Sequence, residues 1–228
     1  MKLHLGAFDQ ILPGWINTDV TPHLWIARAP GAARLACLLG LISRERLAQH
    51  ERGIFAKLRR LDVRRRFPYP DDSVTAVYSS HMLEHIPRSA AAFCLKECHR
   101  VLKPGGLLAL WCYQRLAIEP ALDAIVEDFY AGLLDSYWPP ERRLVESGYR
   151  GLDFPFAELP APAMTMTAIW TLDQLLGYFS TWSALKAYQQ ATGHDPLPDL
   201  GERLAGAWIS LDGAKTIKWP LSLRLGRP

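Results

Sequence analysis

The segment from residue 74 to residue 113 constrains the fold most strongly, because three hydrophobic patterns follow one another in it. Residues 74–78 form a short apolar run, and apolar residues then recur at helical spacing over residues 89–102. Residues 104–106 read Pro-Gly-Gly, which ends that helix, and residues 107–113 are a continuous apolar run typical of a strand buried on both faces. A strand, a helix and a buried strand in this order predict parallel strands joined by a right-handed crossover.

The first third of the chain extends this alternation. Residues 2–6 and 15–20 are short apolar runs that predict the first two strands, and residues 60–63 predict a third. Between them, residues 24–58 are predicted to be helical because apolar side chains recur at helical spacing, at Leu35, Leu38, Leu39 and Ile42.

The second half of the chain is mostly helical. Apolar residues at helical spacing predict a helix over residues 122–133, and residues 171–174 have the form of a capping box before another. Ser183 is expected to cap a third helix, which Gly193 ends. Strict alternation of apolar and polar residues over 217–225 predicts a last strand.

Composition narrows the class of protein. The chain has 228 residues, 49% hydrophobic and 21% charged, which suits one soluble domain with a sizeable core. A net charge of +3 is too small to indicate nucleic-acid binding. The four cysteines form no CxxC pair, so free thiols are expected rather than a metal site. We see no signal peptide and no apolar helix long enough to span a membrane, and we therefore expect a cytoplasmic protein.

Chemistry-bearing residues follow the predicted strands. In an open parallel sheet, ligands bind beyond the carboxyl ends of the strands. Gly6, Asp19 and Asp62 end the first three strands, and Ser79-Ser80-His81 follows the fourth. A carboxylate at the end of a second strand can accept both hydroxyls of a ribose, although Asp19 can equally cap a turn.

Three motifs in residues 68–106 resemble those of class I S-adenosylmethionine-dependent methyltransferases. They are a proline-aspartate loop over residues 68–73, the Leu83-Glu84-His85 turn, and the E-x-x-R-V-L-K-P-G-G pattern over residues 97–106. The resemblance covers residues 3–113. The short link between the first two strands and the sequence LPGWINTDV resemble the corresponding segments of methyltransferases often associated with glycan biosynthesis.

Residues 111–228 resemble a different branch of the same family. YWPPERR at 137–143, TWSA at 181–184 and WPLSLRLGR at 219–227 are similar to the C-terminal part of relatives of trans-aconitate methyltransferase. We therefore expect a mosaic, with a common cofactor half joined to a substrate cap near residues 110–113. The cap would exclude water and select the substrate.

The resemblance implies a fold and a domain organisation. The expected fold is α/β, with a Rossmann-like, doubly wound, mostly parallel seven-stranded sheet, an antiparallel C-terminal strand and a helical cap. Residues 1–228 are expected to form a single methyltransferase domain, with 1–113 as the cofactor-binding half and 114–228 as the substrate cap and last strands.

The resemblance also implies ligands and site residues. The implied cofactor is S-adenosyl-L-methionine, and the expected acceptor is a small molecule with a carboxylate or a hydroxyl, possible glycan-related compounds included. No metal and no nucleic-acid partner is expected, and the oligomeric state is left open. The cofactor-binding residues carried over by position are Leu5, Gly6, Ala7, Asp19, Asp62, Val63, Ser79, Ser80 and His81.

Methyl transfer needs alignment and exclusion of water, and it needs a general base only for an acceptor proton of high pKa. His81 and His85 are the candidate bases, since both follow the fourth strand. His85 can instead serve only to hold its loop. Tyr113, after the fifth strand, is a candidate for the acceptor site, with core packing as the alternative.

One departure from the family pattern supports an alternative to an active enzyme. The relatives usually read G-x-G after the first strand, whereas this chain has Gly6-Ala7-Phe8. Gly6 keeps the closest approach to the cofactor, which has no phosphate to cradle. The alternative is a catalytically silent methyltransferase-like domain that binds a partner. An RNA methyltransferase is a third hypothesis, disfavoured because no RNA-binding module is recognisable.

A basic segment lies between Arg44 and Arg66. It has nine Lys and Arg residues against three Asp and Glu. Such a segment can contact a phosphate-bearing substrate, RNA or an anionic membrane surface, and a solvated face is the default interpretation.

Overall fold

A computed structural model describes residues 1–209 and 213–228. The chain divides into two compact units that interleave along the sequence. Unit 1 contains Met1–Cys112, Ser147–Pro162 and Leu223–Pro228, and unit 2 contains Tyr113–Glu146 and Ala163–Ser222. The first boundary falls one residue before the end of the expected cofactor half, but two later segments return to unit 1.

Eight strands form the sheet, one more than expected. Their order is β3-β2-β1-β4-β5-β8-β6, and β7 pairs with β8. The β1-β2, β1-β4, β2-β3 and β4-β5 pairs are parallel, whereas β6 and β7 are antiparallel to β8. The strands are β1 (Lys2–Leu5), β2 (Ile16–Asp19), β3 (Arg59–Arg60), β4 (Val74–Ser80), β5 (Leu102–Tyr113), β6 (Ala157–Leu159), β7 (Met164–Thr171) and β8 (Ala214–Arg227).

The α/β class and the mostly parallel sheet are confirmed. Leu3 and Leu5 of β1 are fully buried, and β1 lies in the interior of the sheet between β2 and β4. Two strands, β6 and β7, were missed. β6 has only three residues, whereas β7 begins with an alternating Met-Thr-Met-Thr pattern that was not assigned to a strand. The third strand was placed too late, because only Arg59 and Arg60 pair with β2.

Nine α-helices are found in the described part of the chain. The four in unit 1 are α1 (His23–Ile26), α2 (Ala32–Leu38), α3 (Arg44–Glu51) and α4 (Arg88–Val101). The five in unit 2 are α5 (Pro120–Glu127), α6 (Arg142–Glu146), α7 (Leu172–Phe179), α8 (Ser183–Thr192) and α9 (Leu197–Ala207).

The helical prediction for residues 24–58 was wrong in its continuity. Three short helices and a 3₁₀ turn occupy this segment. Gly31 and Gly40 have φ of 76° and 70°, in the left-handed region where a right-handed helix cannot continue. The helical spacing also failed to identify a buried face, because Leu35 and Leu38 are 56% and 84% exposed.

The Pro104-Gly105-Gly106 turn lies within β5 instead of preceding it. α4 ends at Val101, and Leu102 already pairs with Val74. Leu107 then pairs with Ala76, so the turn residues form a bulge in the strand. Gly106 is required there, because a Cβ on it would lie 2.9 Å from the carbonyl oxygen of Lys103.

The E-x-x-R motif on α4 has an architectural role. The Arg100 guanidinium donates to both carboxylate oxygens of Glu97, at 2.9 and 2.7 Å, and to Asp71 at 2.6 Å. It also donates to the carbonyl oxygens of Phe67 and Tyr69. Arg100 therefore fixes the proline-aspartate loop against α4.

Unit 2 has its own hydrophobic core. The capping box on α7 is confirmed, because Thr171 and Gln174 exchange both hydrogen bonds, and the left-handed Gly193 ends α8 as expected. Ser183 is instead the first residue of α8, whose N-cap is Trp182. The core side chains are Leu122, Val126, Phe129, Leu134, Leu175, Phe179, Ala184, Leu185, Leu200 and Leu204.

Candidate functional site

A cavity of about 470 Å³ lies at the carboxyl ends of the central strands of unit 1. Parallel pairing of β1 with β2 and β4 brings the residues after each strand to one edge of the sheet. The lining residues are Gly6, Phe8, Asp19, Val20, Leu61, Asp62, Val63, Arg64, His81, Met82, His85 and Ile86.

Gly6 turns the chain sharply after β1. Its φ is +66°, and a Cβ added to it would lie 2.8 Å from the Cβ of Met82. A side chain at this position would therefore be strained and would collide with the loop after β4. The backbone of Gly6 is consequently exposed to the cavity without an intervening side chain.

Asp19 ends β2 and holds the loop after β1 against it. One carboxylate oxygen accepts the backbone N–H of Phe8 at 3.0 Å, and the other accepts the N–H of Thr21 at 2.7 Å. Each oxygen retains a further lone pair. Asp19 thus caps two turns and can still accept hydroxyl groups from a ligand in the cavity.

Phe8 borders the cavity with a strained backbone. Its φ is +43°, which costs a non-glycine residue roughly 1–3 kcal/mol. The ring packs on Phe55 with a centroid separation of 5.9 Å, and the Arg46 guanidinium lies 4.6 Å from the ring centroid. One face of the ring is therefore already in contact with a cation.

Two histidines lie behind Phe8. His23 Nδ1 is 2.8 Å from His50 Nε2, and the His23 ring stacks on Phe55 at 4.6 Å. Burial lowers the pKa of both imidazoles. The neighbouring Arg46 guanidinium lowers the pKa of each further.

Asp62 is paired within the chain. Arg64 donates to its two carboxylate oxygens at 2.8 and 2.9 Å, and the Arg64 backbone N–H also donates to it. The side-chain hydrogen bond from Arg64 lowers the pKa of Asp62 to about 2. Arg64 itself lines the cavity, a position that sequence reasoning missed although Arg64 is two residues from Asp62.

His81 is oriented by a buried carboxylate. Its Nδ1 lies 2.9 Å from Glu84 Oε1, and the Tyr149 hydroxyl donates to Glu84 Oε2 at 2.5 Å. Burial opposes the charge on Glu84, but these two hydrogen bonds leave the pKa of its carboxyl below its usual value. Burial raises the pKa of Tyr149 far above its usual value, so the phenol stays protonated and keeps donating.

This carboxylate selects the tautomer of His81 in which Nδ1 carries the proton. Tyr149 is 65 residues from Glu84 in the sequence, and nothing in the local pattern indicated their contact. Both His81 and Tyr149 adopt positive φ, at 45° and 62°.

The predicted site residues fall into three groups. Gly6, Asp19, Asp62, Val63 and His81 line the cavity of unit 1, and so does His85, which is exposed. Tyr113 belongs to unit 2. The third group does not line the cavity. Ser80 ends β4, and the other members of this group are buried, namely Leu5, Ala7 and Ser79.

Unit 2 contains a separate cavity of about 410 Å³. Arg142 projects into it, with Nε donating to the Tyr130 hydroxyl at 2.8 Å and the guanidinium 5.1 Å from the Trp138 ring. Arg115 lies over the same Tyr130 ring and forms an ion pair with Glu127. Among the described residues, no carboxylate lies within ion-pair distance of Arg142.

The charge of Arg142 is maintained inside unit 2. Burial works against the charge, but the hydrogen bond to Tyr130 and the phenols of Tyr178 and Tyr113 leave the pKa of Arg142 raised. Burial raises the pKa of Tyr130 to about 12. The cavity therefore presents a fixed cation among aromatic side chains. Two carboxylates also line it: Glu127 is paired with Arg115, and Asp123 accepts the backbone N–H of Ile118.

Comparison with known proteins finds similarity to methyltransferases. Residues 39–110 match the model of a methyltransferase domain. A solved structure from Anaeromyxobacter dehalogenans, described as a type II methyltransferase, has a TM-score of 0.74 and 28% identity. The match covers 99% of this chain and 88% of that one.

Two curated relatives are similar in sequence to this chain over part of their own length. A methyltransferase-named protein of Dictyostelium discoideum is 29% identical over 121 residues, which is 52% of this chain and 46% of the relative. A protein of Mycolicibacterium smegmatis named as an S-adenosylmethionine-dependent methyltransferase is 30% identical over 103 residues, 43% of this chain and 38% of the relative. The chain thus spans less than half the length of these relatives.

The sheet order and the glycine turn at a strand-end cavity define a Rossmann-like ligand-binding fold. The matched domain, the curated relatives and the solved structure support the assignment of the chain to the class I S-adenosylmethionine-dependent methyltransferases.

Residues 1–209 and 213–228 contain neither a metal-binding cluster nor a membrane-spanning helix. No group of three or more His, Cys, Asp or Glu side chains is arranged to hold a metal ion. No helix in these ranges has the length and apolar character needed to cross a bilayer.

Proposed function

We propose that the chain transfers the methyl group of S-adenosylmethionine to a small-molecule acceptor. The cavity at the ends of β1, β2 and β4 carries this proposal, because it combines an open glycine backbone, a carboxylate and an oriented imidazole at Gly6, Asp19 and His81. The family membership supports the choice of cofactor.

The residues in the cavity fit that cofactor. Its volume of about 470 Å³ falls within the range of roughly 300–1,000 Å³ that is usual for ligand sites. Asp19 has lone pairs left for two ribose hydroxyls, and the apolar side chains of Leu61, Val63 and Ile86 offer surface to an adenine ring. The close approach at Gly6 suits the methionine end.

The bound cofactor supplies an electrophilic methyl group on a sulfonium. The protein has to align the acceptor and remove water from it. His81 is the candidate to accept an acceptor proton, and Glu84 positions it through Nδ1. Tyr149 in turn holds Glu84, so it acts through two other side chains.

We also propose that the cavity of unit 2 binds a small molecule that carries a carboxylate. Arg142 supports this, because a guanidinium maintained in its charged form and without a carboxylate partner among the described residues suits an anionic ligand. Trp182 and Tyr178 line the same cavity and give the ligand an apolar contact surface. A sugar hydroxyl acceptor is the alternative.

Calorimetry tests the cofactor first. S-adenosylmethionine and S-adenosylhomocysteine should each bind the wild type saturably at one site, whereas ATP, which carries phosphates, should not. Absence of binding by both cofactor forms would favour the silent, partner-binding domain.

Transfer of radiolabelled methyl from S-adenosylmethionine then tests the acceptor, with a panel of di- and tricarboxylates against neutral sugars. Arg142→Gln should raise the KM of an active carboxylate by about tenfold or more, since a charged hydrogen bond is worth roughly 1.5–3 kcal/mol. Arg143→Gln is the matched control, because the neighbouring Arg143 is exposed and does not line the cavity. Labelling of sugars alone would refute the carboxylate proposal and leave the cofactor proposal intact.

A further inference from the structure

Helix α2 of unit 1 shows an inverted amphipathic pattern. It buries a small residue, Ala36, and exposes its larger apolar side chains. Leu35, Leu38 and Leu39 share one face of the helix by their i, i+3 and i+4 spacing, and they are 56%, 84% and 63% exposed. Helices in soluble proteins normally turn such a face toward the core.

Large apolar side chains are also exposed on either side of the helix in the sequence. Leu41 is 74% exposed and Trp25 is 58% exposed, so five large apolar side chains are exposed within seventeen residues. Clusters of this kind mark interaction surfaces, whereas single exposed leucines need no explanation. We call these five residues the leucine surface.

The backbone holds the leucine surface in place. α2 ends in a Schellman motif, in which Gly40 N–H donates to Cys37 at 3.0 Å and Leu41 N–H donates to Ala36 at 2.8 Å. The left-handed φ of Gly40 makes that motif possible. The presentation of Leu41 is therefore a fixed feature of the fold.

Positive charge is concentrated in the same part of the chain. Residues 20–66 contain eleven Lys and Arg against three Asp and Glu, whereas the rest of the chain has fifteen against twenty. Arg28, Arg44 and Arg52 are exposed on or beside α1 and α3. Apolar side chains flanked by exposed cations are the combination that binds the interface of an anionic bilayer.

We propose that the leucine surface and its flanking arginines dock unit 1 on an anionic phospholipid surface. Leu38 and Leu41 would enter the acyl boundary, while Arg28, Arg44 and Arg52 would contact the headgroup phosphates. The surface is separate from the cofactor cavity in its residues, so the docking does not depend on the proposed methyl transfer.

Two other occupants suit the surface less well. A second copy in a two-fold interface would bring the same positive segment against itself, which costs free energy by like-charge repulsion. RNA would satisfy the arginines, but it offers no apolar interior for four exposed leucines.

Vesicle co-sedimentation tests the docking, with the whole chain and phosphatidylcholine vesicles that contain or lack phosphatidylglycerol. The wild type should bind only the anionic vesicles, and more weakly as salt rises. Leu38→Gln with Leu41→Gln should reduce binding by about tenfold or more, since each leucine loses its burial in the acyl region. Replacing Arg28, Arg44 and Arg52 with glutamine should weaken binding by on the order of 100-fold at low salt.

Matched controls separate these effects from general changes of surface. Ile209→Gln removes an apolar side chain from unit 2 that is as exposed as Leu38, at 84%. Gln at Arg150, Lys186 and Lys218 removes three exposed cations elsewhere. Both controls should bind like the wild type, and all variants should keep the wild-type circular dichroism spectrum.

Three results would overturn the proposal. One is no binding of the wild type to anionic vesicles. The second is a dimer in analytical ultracentrifugation that Leu38→Gln dissociates, without vesicle binding, which would identify a second copy as the occupant. The third is binding of a single-stranded RNA that depends on the arginines and is unaffected by the leucine variants.

Discussion

Replacement of Asp19 by alanine tests the cofactor cavity most directly. The change removes the acceptor of two backbone N–H groups, those of Phe8 at 3.0 Å and Thr21 at 2.7 Å. Hydrogen bonds to a charged group are worth roughly 1.5–3 kcal/mol each, and the partial exposure of Asp19 puts these at the low end. We therefore expect the free energy of unfolding to fall by about 2–3 kcal/mol.

Cofactor affinity should fall for a separate reason. If the remaining lone pairs of Asp19 accept two ribose hydroxyls, their loss costs about 3 kcal/mol, which corresponds to roughly a 100-fold weaker Kd. Disorder of the loop that carries Phe8 can only add to this loss. A decrease of at least about tenfold is the minimum that the geometry requires.

Calorimetric titration of S-adenosylmethionine measures the affinity, and urea denaturation of the unliganded variant measures the stability. Asp153→Ala is the matched control, because Asp153 is an exposed carboxylate of unit 1 that does not line the cavity. An Asp19→Ala variant that is folded and binds the cofactor within twofold of wild type would refute the assignment of the ribose site. The two turns would then be the whole role of Asp19.

Three further predictions address the surroundings of the cavity. Phe8→Gly should change the affinity for S-adenosylmethionine by less than about tenfold, because the ring packs on Phe55 and Arg46 at the border of the site. If the same titration shows binding by the variant but not by the wild type, the ring obstructs the site. Glu84→Gln should lower kcat by roughly 10²-fold while the KM for cofactor stays within twofold, because a neutral amide stabilises the protonated imidazole of His81 less than the carboxylate does. An unchanged kcat across the pH range would exclude His81 as the base. The pKa values of His23 and His50 are lowered in the folded state, so the folded state resists their protonation. The free energy of unfolding is therefore highest above about pH 6.5, the pKa of histidine in the unfolded chain, and it falls as the pH decreases below that value. Urea denaturation between about pH 7 and pH 5 should show this fall, and His50→Gln should reduce it; identical pH slopes for variant and wild type would contradict the assignment.

The sequence by itself determined the elements whose signals are local. The pattern over residues 74–113 predicted β4, α4 and β5, since hydrophobic periodicity is readable without knowledge of the rest of the chain. The same holds for the capping box at Thr171 and the left-handed Gly193. The start of β5 was predicted too late, because the strand begins before the Pro-Gly-Gly turn. The sequence also predicted that Gly6, Asp19 and His81 lie together, because the carboxyl ends of parallel strands meet at the same edge of a sheet. All three line one cavity.

Tertiary structure alone decided which of these residues have partners. The two hydrogen bonds from Arg64 to Asp62 depend on side-chain directions. The hydrogen bond from Tyr149 to Glu84 joins residues 65 positions apart in the sequence. No periodic pattern encodes either contact. Helical spacing indicated an apolar face at Leu35, Leu38 and Leu39, but it cannot tell whether a neighbouring element covers that face. In this fold no described element does, and the physical reason is that α2 packs through its alanine side and leaves the leucines to the solvent.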